Sequence, residues 1–511
     1  MAGPKTRTWT RVATMLTAPL LTVGLLVPAQ PAQAGTLGSL LGGVGTTLDG
    51  LLSNVLGNGF HLGLLDEFRP TGTPVWGGDV RAATRAEAPR ARGIDGSGVD
   101  VALLDTGVVP VPGLDAPGAV INGPDLSFDR QNGLASGLDG YGHGTHLAGI
   151  IAGRGTAKTA GVAPGSRLVN IKVGASSGAV DVSQVIAGID WVVQHRKDSG
   201  VNIRVINLSY GTDSTQAYTS DPLTHAVESA WKNGIVVVVA AGNNGTTGNA
   251  LIDPATDPYV LTVGSVDLGD PASVLDDEVA PYSSIGTAAR RVDVVAPGTS
   301  IVSLRDPGST VDDAHPDARV GTDNFRGSGT SQAAAVASGL VADLLEARPT
   351  LTPDQVKAVL RSTAHPVTGS AAVAQGAGMI DLDAATKAAV PTVATAKQSF
   401  TASTGLGTLD GARGTSRVVI DGVPLAGEID VQSSPWVPKT WAPKATAGTA
   451  WTGGSWNGKV WAGDGWELGG ASWSGRTWRD GAWTGRTWRG DSWAGRTWRG
   501  DTWTGRTWRS T

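Results

Sequence analysis

The sequence predicts an α/β fold, with a mostly parallel, doubly wound sheet between two layers of helices, and three observations support this class. Short apolar runs alternate with helical stretches rich in small residues from about Arg90 to Val390. The runs are almost continuously apolar, as expected of parallel strands that are covered on both faces. The length of 511 residues exceeds one typical domain, which predicts one large α/β domain with additional segments.

The elements of this domain follow from the pattern in order. Six apolar runs are predicted to be buried strands: 99–105, 168–173, 205–209, 235–242, 260–266 and 292–298. Helices are predicted between or after these runs: 143–153, 181–197, 222–232, 331–346 and 353–362. The last helix has Thr352 as its N-cap and Pro353 at its first position, where these residue types favour a helix start.

The first 34 residues predict a secretory signal peptide. A basic opening precedes an apolar run from Val12 to Val27, and cleavage is expected after Ala34. The run is short for a membrane span, which disfavours the alternative of a retained N-terminal anchor. The mature chain is therefore expected outside the cell, either soluble or associated with the wall. Residues 35–89 are predicted to be a loosely structured leader or short pro-segment.

Two further segments follow the predicted α/β domain, which spans residues 90–390. Residues 391–435 are a linker or a small β element, with a hairpin predicted in RVVIDGVPLAGEIDV around an Asp421-Gly422 turn. Residues 436–511 form a predicted low-complexity Trp/Gly/Arg repeat tail, which holds 14 of the 18 tryptophans. The tail has 11 Lys and Arg against 5 Asp and Glu, although the whole chain carries a net charge of -5. This asymmetry indicates a polyanionic partner for the tail.

Cysteine is absent from the sequence, which excludes disulfides, thiolate catalysis and cysteine-based zinc sites. Stability outside the cell is therefore expected to come from a large core, from bound ions or from both.

Three separated motifs contain an acid, a base and a nucleophile. Asp105 lies in VALLDTG, His143 in GHGTHLAG and Ser331 in GSGTSQAA. The order Asp, His, Ser is that of subtilisin, and it differs from the orders in chymotrypsin and the α/β-hydrolases. The three motifs therefore predict a Ser-His-Asp hydrolase whose parts are brought together by folding.

A fourth residue, Asn243 in VVVVAAGNNG, follows the most hydrophobic predicted strand. Its side-chain amide can donate a hydrogen bond to a tetrahedral oxyanion, together with the backbone N–H at the nucleophile.

Each of these residues also has a simpler structural interpretation, which the sequence alone leaves open. Asp105 can cap a turn or helix, Ser331 can be an N-cap, and Asn243 can form a turn beside glycine. His146, three residues after His143, is a competing base and raises the alternative of a metal pair. The HExxH spacing of metalloproteases is absent, which disfavours the metal.

Taken together, the motifs from roughly residue 90 to 390 resemble the subtilisin-like serine peptidases, the subtilase or S8 family. The matching blocks are VDVALLDTGV, DGYGHGTHLAGIIAG, GVAPGSRLVNIKV, VINLSYG, VVVVAAGNNG, YSSIG, VDVVAPG, GSGTSQAAAVASG and GAGMIDLDAA. The segment 405–414, followed by the Trp-Gly repeats, resembles C-terminal extensions of secreted actinobacterial subtilases.

The resemblance implies a role for each matching residue. Asp105 would be the orienting acid, His143 the general base, Ser331 the nucleophile and Asn243 the oxyanion donor. The family pattern also implies that four consecutive residues line the substrate cleft and pair with an extended peptide: Leu208, Ser209, Tyr210 and Gly211.

This sequence departs from the family pattern in two places. Gln332, Ala335 and Val336 stand where the family often has Met, Pro and His, which should affect the packing of the helix more than the chemistry. The leader is also shorter than the usual folding propeptide.

The expected function is that of a secreted serine endopeptidase that hydrolyses polypeptides through an acyl-enzyme. The rival hypothesis is a catalytically silent subtilase scaffold that presents a wall-binding tail. The chemistry needs no cofactor, and a structural calcium ion fits the family without assignable ligands. The tail is expected to bind a cell-wall polymer or to be a flexible extension, and nucleic acid is not an expected partner.

Overall fold

The central feature of the fold is a sheet built from the predicted apolar runs. The structure is a computed structural model, and it describes residues 66–70, 72–131, 137–245, 251–269, 276–420 and 423–461. The strands in these ranges are β1 (Asp100–Asp105), β2 (Val120–Asp125), β3 (Arg167–Lys172), β4 (Ile203–Leu208), β5 (Val236–Ala240), β6 (Leu261–Asp267), β7 (Glu278–Val279), β8 (Val294–Pro297), β9 (Ile301–Leu304), β10 (Arg319–Val320), β11 (Asn324–Gly327), β12 (Val419–Ile420), β13 (Val423–Pro424), β14 (Trp451–Thr452), β15 (Ser455–Trp456) and β16 (Lys459–Val460).

Eight of these strands form the main sheet, in the order β2-β3-β1-β4-β5-β6-β7 with β8 also paired to β6. The pairings are parallel, apart from the antiparallel contact of β6 with β7. The residues of β1 and β5 are all buried, which explains the continuous apolar runs at 101–104 and Val236–Ala240.

The helices connect the strands and cover the sheet. Those in the described ranges are α1 (Gly77–Ala83), α2 (Glu87–Ala91), α3 (Phe128–Gln131), α4 (His143–Ala152), α5 (Val182–His195), α6 (Pro222–Lys232), α7 (Thr310–Ala314), α8 (Thr330–Ala347), α9 (Pro353–Thr363), α10 (Ala372–Gln375), α11 (Leu382–Lys387), α12 (Val393–Ala396), α13 (Leu409–Arg413) and α14 (Pro438–Ala447). Short 3-10 turns span Asp66–Phe68 and Pro316–Ala318.

Two pairs of helices lie on opposite faces of the sheet. Ser338 of α8 donates a hydrogen bond to Asn207 Oδ1 of β4 at 2.9 Å. Gly188 of α5 instead lies against the side chain of Leu104 in β1, which pairs with Leu208, the neighbour of Asn207. Successive residues of a strand point to opposite faces. Helix α8 and its neighbour α4 therefore cover one face, and α5 with its neighbour α6 covers the other.

The predicted α/β class is confirmed. The six predicted strands correspond to β1, β3, β4, β5, β6 and β8, and the five predicted helices to α4, α5, α6, α8 and α9. Strand β2 was not predicted, because its sequence VINGPD contains glycine and proline. Proline is tolerated there because β2 is an edge strand, which can lose a backbone donor at little cost.

The predicted hairpin after residue 390 is also present. Val419 pairs with Pro424 and Ile420 with Val423 in antiparallel register. The turn residues Asp421 and Gly422 lie outside the described residues.

The Trp segment, defined here as residues 436–461, packs on the α/β domain. Helix α14 contacts α6, and strand β14 contacts α5. The segment buries five indole rings: Trp436, Trp441, Trp451, Trp456 and Trp461. The first 26 residues of the predicted tail therefore belong to the folded unit, and residues 462–511 lie outside the described residues.

Within the described ranges, none of the helices combines the length and apolar character that crossing a bilayer requires. The predicted signal peptide and residues 35–65 of the predicted leader lie outside these ranges.

Candidate active site

The site begins at the carboxyl end of β1, where open α/β sheets place their functional groups. Asp105 is the last residue of this strand. Its Oδ1 accepts hydrogen bonds from the backbone N–H of Thr106 at 2.8 Å and from the His143 ring, whose Nδ1 lies 2.7 Å away. The carboxylate is thus held by its own turn and directed at the imidazole.

His143 is the first residue of α4, and the start of this helix lies against the turn after β1. A Cβ on Gly144 would come within 2.2 Å of the Gly107 carbonyl oxygen, so glycine is required for this approach. Burial by itself would lower the pKa of His143, but the carboxylates of Asp105 and Glu67 outweigh it and raise the pKa to about 10. The ring is therefore held as an imidazolium between two carboxylates.

Ser331 is the second residue of α8, on the same face of the sheet as α4. Its hydroxyl is buried and donates a hydrogen bond to Glu67 Oε1 at 3.0 Å. The local positive potential at a helix N-terminus favours negative charge on this oxygen.

Asn243 lies beyond the end of β5, and its amide group is fixed by α8. Its Oδ1 accepts hydrogen bonds from the backbone N–H and the hydroxyl of Thr330, both at 2.9 Å. The other polar atom of the amide, Nδ2, is not used by Thr330, and it donates a hydrogen bond to Glu67 Oε1 at 2.7 Å.

Glu67 was not among the residues that the sequence predicted for the site. It lies in a cleft segment, defined here as residues 66–70, within the predicted leader. Its carboxylate contacts Ser331 and Asn243 through Oε1, and its Oε2 lies 3.2 Å from His143 Nε2. That last contact is an ion pair and is not aligned as a hydrogen bond. A single glutamate in a glycine-rich leader carries no sequence signal for such a position.

The competing base, His146, lies one turn along α4 from His143. It is fully buried, and this burial lowers its pKa to about 3, so its ring stays neutral. Its ring packs edge-on against Phe68, with 5.3 Å between the ring centroids. No group of three or more His, Cys, Asp or Glu side chains that could hold a metal occurs in the part of the chain that the structure describes.

Part of the predicted substrate cleft adjoins these residues. Ser209 and Tyr210 line a shallow pocket together with Asp105, His143 and Val180. Ser209 Oγ also donates to the Ser331 carbonyl oxygen at 3.4 Å. Leu208 ends β4, and Gly211 packs against Ile252; these two predicted cleft residues do not line the pocket.

The three positions at which the sequence departs from the subtilase pattern are all buried in α8: Gln332, Ala335 and Val336. The contacts described above bring the predicted catalytic residues together at one site, along with a glutamate from outside the matched motifs.

Comparison with known proteins identifies the family of the chain. A family model described as the subtilase family matches residues 96–400. Serine protease AprX of Bacillus subtilis (strain 168) is 38% identical over 278 residues, which cover 53% of this chain and 62% of AprX. Subtilisin DY of Bacillus licheniformis is 35% identical over 304 residues, covering 59% of this chain and 95% of that protein.

Two further relatives extend the comparison. Subtilisin Savinase of Lederbergia lenta is 33% identical over 307 residues, covering 60% of this chain and 97% of its own. The crystal structure of fervidolysin from Fervidobacterium pennivorans, described as a keratinolytic enzyme related to subtilisin, has 30% identity and a TM-score of 0.48, covering 62% of this chain and 46% of fervidolysin. Since the family model spans more than half of the 511 residues, the chain belongs to the subtilase family.

Proposed function

We propose that this chain is a secreted serine endopeptidase that cleaves polypeptides through an acyl-enzyme intermediate. Ser331 attacks the peptide carbonyl while His143 accepts the serine proton. His143 then returns the proton to the leaving amine, and a water molecule releases the acyl group by the reverse sequence. Asp105 orients the imidazole, and Asn243 stabilises the oxyanion.

One observation carries this proposal. A single oxygen atom, Glu67 Oε1, accepts hydrogen bonds from Ser331 Oγ at 3.0 Å and from Asn243 Nδ2 at 2.7 Å. A point about 3 Å from both a nucleophile and an oxyanion donor is where a reacting carbonyl group has to lie in acyl transfer. The site therefore has the geometry to bind and attack a carbonyl.

The orientation of the two supporting groups agrees with these roles. Asp105 contacts Nδ1 of His143, which leaves Nε2 as the atom that exchanges the proton with serine. The Thr330 backbone N–H and hydroxyl hold the Asn243 amide with its NH2 group toward the reacting position. Such preorganised donors lower the barrier because they need no reorientation when charge develops.

Polypeptides are the proposed substrates. The pocket lined by Ser209, Tyr210 and Val180 opens beside His143, where it can receive a substrate side chain. An extended peptide would pair with the backbone of residues 208–211 as an added strand.

The test is labelling by a fluorophosphonate probe combined with hydrolysis of a fluorescent casein substrate. Ser331→Ala should abolish both, because it removes the nucleophile. The matched control is Ser362→Ala at an exposed position of α9, which should retain both activities. Equal labelling of the two variants would contradict the mechanism, whereas absence of labelling and hydrolysis in both the wild type and Ser362→Ala would support the rival hypothesis of a catalytically silent scaffold.

We also propose secretion and binding of the tail to an anionic or carbohydrate-rich wall polymer. Tryptophan rings can stack on sugars, and arginine pairs with anions. A truncation for testing this should end after Trp461, because the Trp segment is packed on the domain. Full-length protein should be retained on purified cell walls and the truncated protein should be released. Equal retention would contradict wall binding.

The proposed chemistry uses no cofactor. A structural calcium ion remains compatible with the family, and we assign no residue to it.

A further inference from the structure

The oxyanion position of the site is filled by a side chain of the same chain. Glu67 Oε1 accepts from Ser331 and Asn243, and Glu67 Oε2 forms an ion pair with His143. One carboxylate thus engages the proposed nucleophile, oxyanion donor and base together. A carboxylate resembles both the oxyanion of the reaction and the acid product of peptide hydrolysis, so this site is suited to bind it.

The cleft segment is built into this position by contacts beyond the carboxylate. Glu67 is 3% exposed and Phe68 is fully buried. The Phe68 ring packs edge-on against His143 and lies 5.3 Å from the ring of Phe325. The backbone N–H of Ser328 donates to the Glu67 carbonyl oxygen at 2.6 Å. Side chain and backbone therefore hold the segment in the cleft.

The loop before the nucleophile is shaped for the same contact. A Cβ on Gly329 would come within 2.8 Å of the Glu67 carboxyl carbon, so glycine permits the close approach. Shortly after the cleft segment, the chain is tied to the domain by a bridge between Val75 and Ile301. The Val75 backbone forms hydrogen bonds to Ser300 and Val302 at 2.9 and 2.8 Å. Because the chain is hydrogen-bonded to the domain shortly after the cleft segment, Glu67 is kept close to the site.

The conformation of the segment is not that of a bound substrate. Asp66–Phe68 form a 3-10 turn, whereas a peptide that adds a strand to the cleft is extended. The group presented to Ser331 is a carboxylate, which already carries negative charge and is a poor target for a nucleophile. The segment can therefore occupy the site without being cleaved at this point.

We propose that Glu67 is an internal inhibitory carboxylate, which closes the active site until the cleft segment is displaced. This inference rests on the proposed function, since it assigns the inhibited site to Ser331, His143 and Asn243. Peptide substrate and Glu67 compete for the same donors, so entry of a substrate requires the carboxylate to leave. While it is bound, the ion pair keeps His143 from accepting the serine proton.

The test compares rates of fluorophosphonate labelling for the full chain and three variants. Glu67→Gln removes the charge, Glu67→Ala removes the whole group, and Glu278→Gln makes the matched change at an exposed glutamate of β7. Intact mass spectrometry counts only adducts on chains that still carry residue 67. Labelling should be about ten- to hundredfold faster in Glu67→Ala, because charge-assisted hydrogen bonds are lost. Glu67→Gln should lie between this variant and the wild type, and Glu278→Gln should match the wild type.

A second measurement keeps the inference testable if self-cleavage or misfolding affects the first. In the Ser331→Ala background, binding of a fluorescent peptide is followed by anisotropy with and without Glu67→Ala. Tighter binding in the double variant would support the inhibitory role.

The outcomes separate the two proposals. If wild type, Glu67→Ala and Glu278→Gln label equally fast and Ser331→Ala does not label, the inhibitory role is wrong and the peptidase mechanism stands. If no variant labels, the peptidase mechanism is wrong. Unchanged peptide affinity on removal of Glu67 would then overturn the inhibitory role as well.

Discussion

The cleft segment (residues 66–70) and the Trp segment (residues 436–461) both lie outside the range that matches the subtilase family, yet they are held in different ways. The cleft segment uses a carboxylate on groups that the proposed reaction needs. The Trp segment uses indole rings on the opposite face of the sheet, where Trp441 and Trp456 donate to Asp190 of α5 at 2.7 and 2.8 Å.

The difference concerns what competes with each contact. A substrate carbonyl can replace Glu67, so the cleft segment is held by an interaction that catalysis must break. Nothing in the proposed reaction uses Asp190, so the indole contacts can persist through turnover. One segment therefore has the properties of a regulator, and the other those of a structural part of the domain.

The largest expected effect is on stability, in the Trp segment. Trp456→Ala should lower the free energy of unfolding by about 3–5 kcal/mol, because a buried aromatic ring is lost and a cavity remains. Thr452→Ala, at an exposed position of the same small sheet, is the matched control. Denaturant unfolding measures the change. If the two variants unfold at the same midpoint, the Trp segment is not integrated into the domain.

The next effect is on catalysis. Asn243→Ala should lower kcat about 100- to 1000-fold, the range found in subtilisin on loss of one oxyanion donor. The exposed neighbour Asn244 provides the control, Asn244→Ala. Steady-state kinetics on a fluorogenic peptide would test this, and an unchanged kcat in Asn243→Ala would remove its assigned role.

A smaller effect should distinguish two buried tryptophans of the Trp segment. At about pH 8, where Asp190 is charged, Trp441→Phe loses the indole donor to it and should cost about 1.5–3 kcal/mol of stability, the range for a hydrogen bond to a charged group. Trp436→Phe should cost less, because the buried Nε1 of Trp436 has no hydrogen-bond partner among the described residues. Equal losses in unfolding experiments would show that packing alone, and not the bond to Asp190, holds the segment.

The smallest effect is a pH dependence of stability. Burial raises the pKa of Asp190 to about 7, although the hydrogen bonds from Trp441 and Trp456 oppose this shift. A carboxyl group with a raised pKa stabilises the folded protein at low pH, and this stabilisation is lost as pH rises through the folded value. Stability should therefore fall as pH rises from about 4, where the unfolded carboxyl titrates, to about 7, and it should level off above that value.

The check is the unfolding midpoint between about pH 5 and 8, measured for wild type and Asp190→Asn. The variant should show a shallower decline. Some slope should remain, because burial also raises the pKa of Asp257 to about 7. Identical slopes would contradict a titrating Asp190.

The strands and helices could be predicted because their pattern is local. The apolar run that ends at Asp105 and the small-residue helix that contains Ser331 each show their character within one stretch of sequence. Strand β2 was missed because Gly123 and Pro124 break the pattern, and only its place at the edge of the sheet makes them acceptable.

The sequence by itself predicted the α/β class, the family and the four candidate catalytic residues, because their motifs occur together and in the order of the subtilase pattern. The tertiary structure alone placed Glu67 on Ser331, 264 residues away, and Trp456 on Asp190, 266 residues away. Neither contact follows from a periodic pattern. In both cases the folded domain presents a buried polar group, the Ser331 hydroxyl or the Asp190 carboxylate, and a segment far away in the sequence supplies its hydrogen-bond partner.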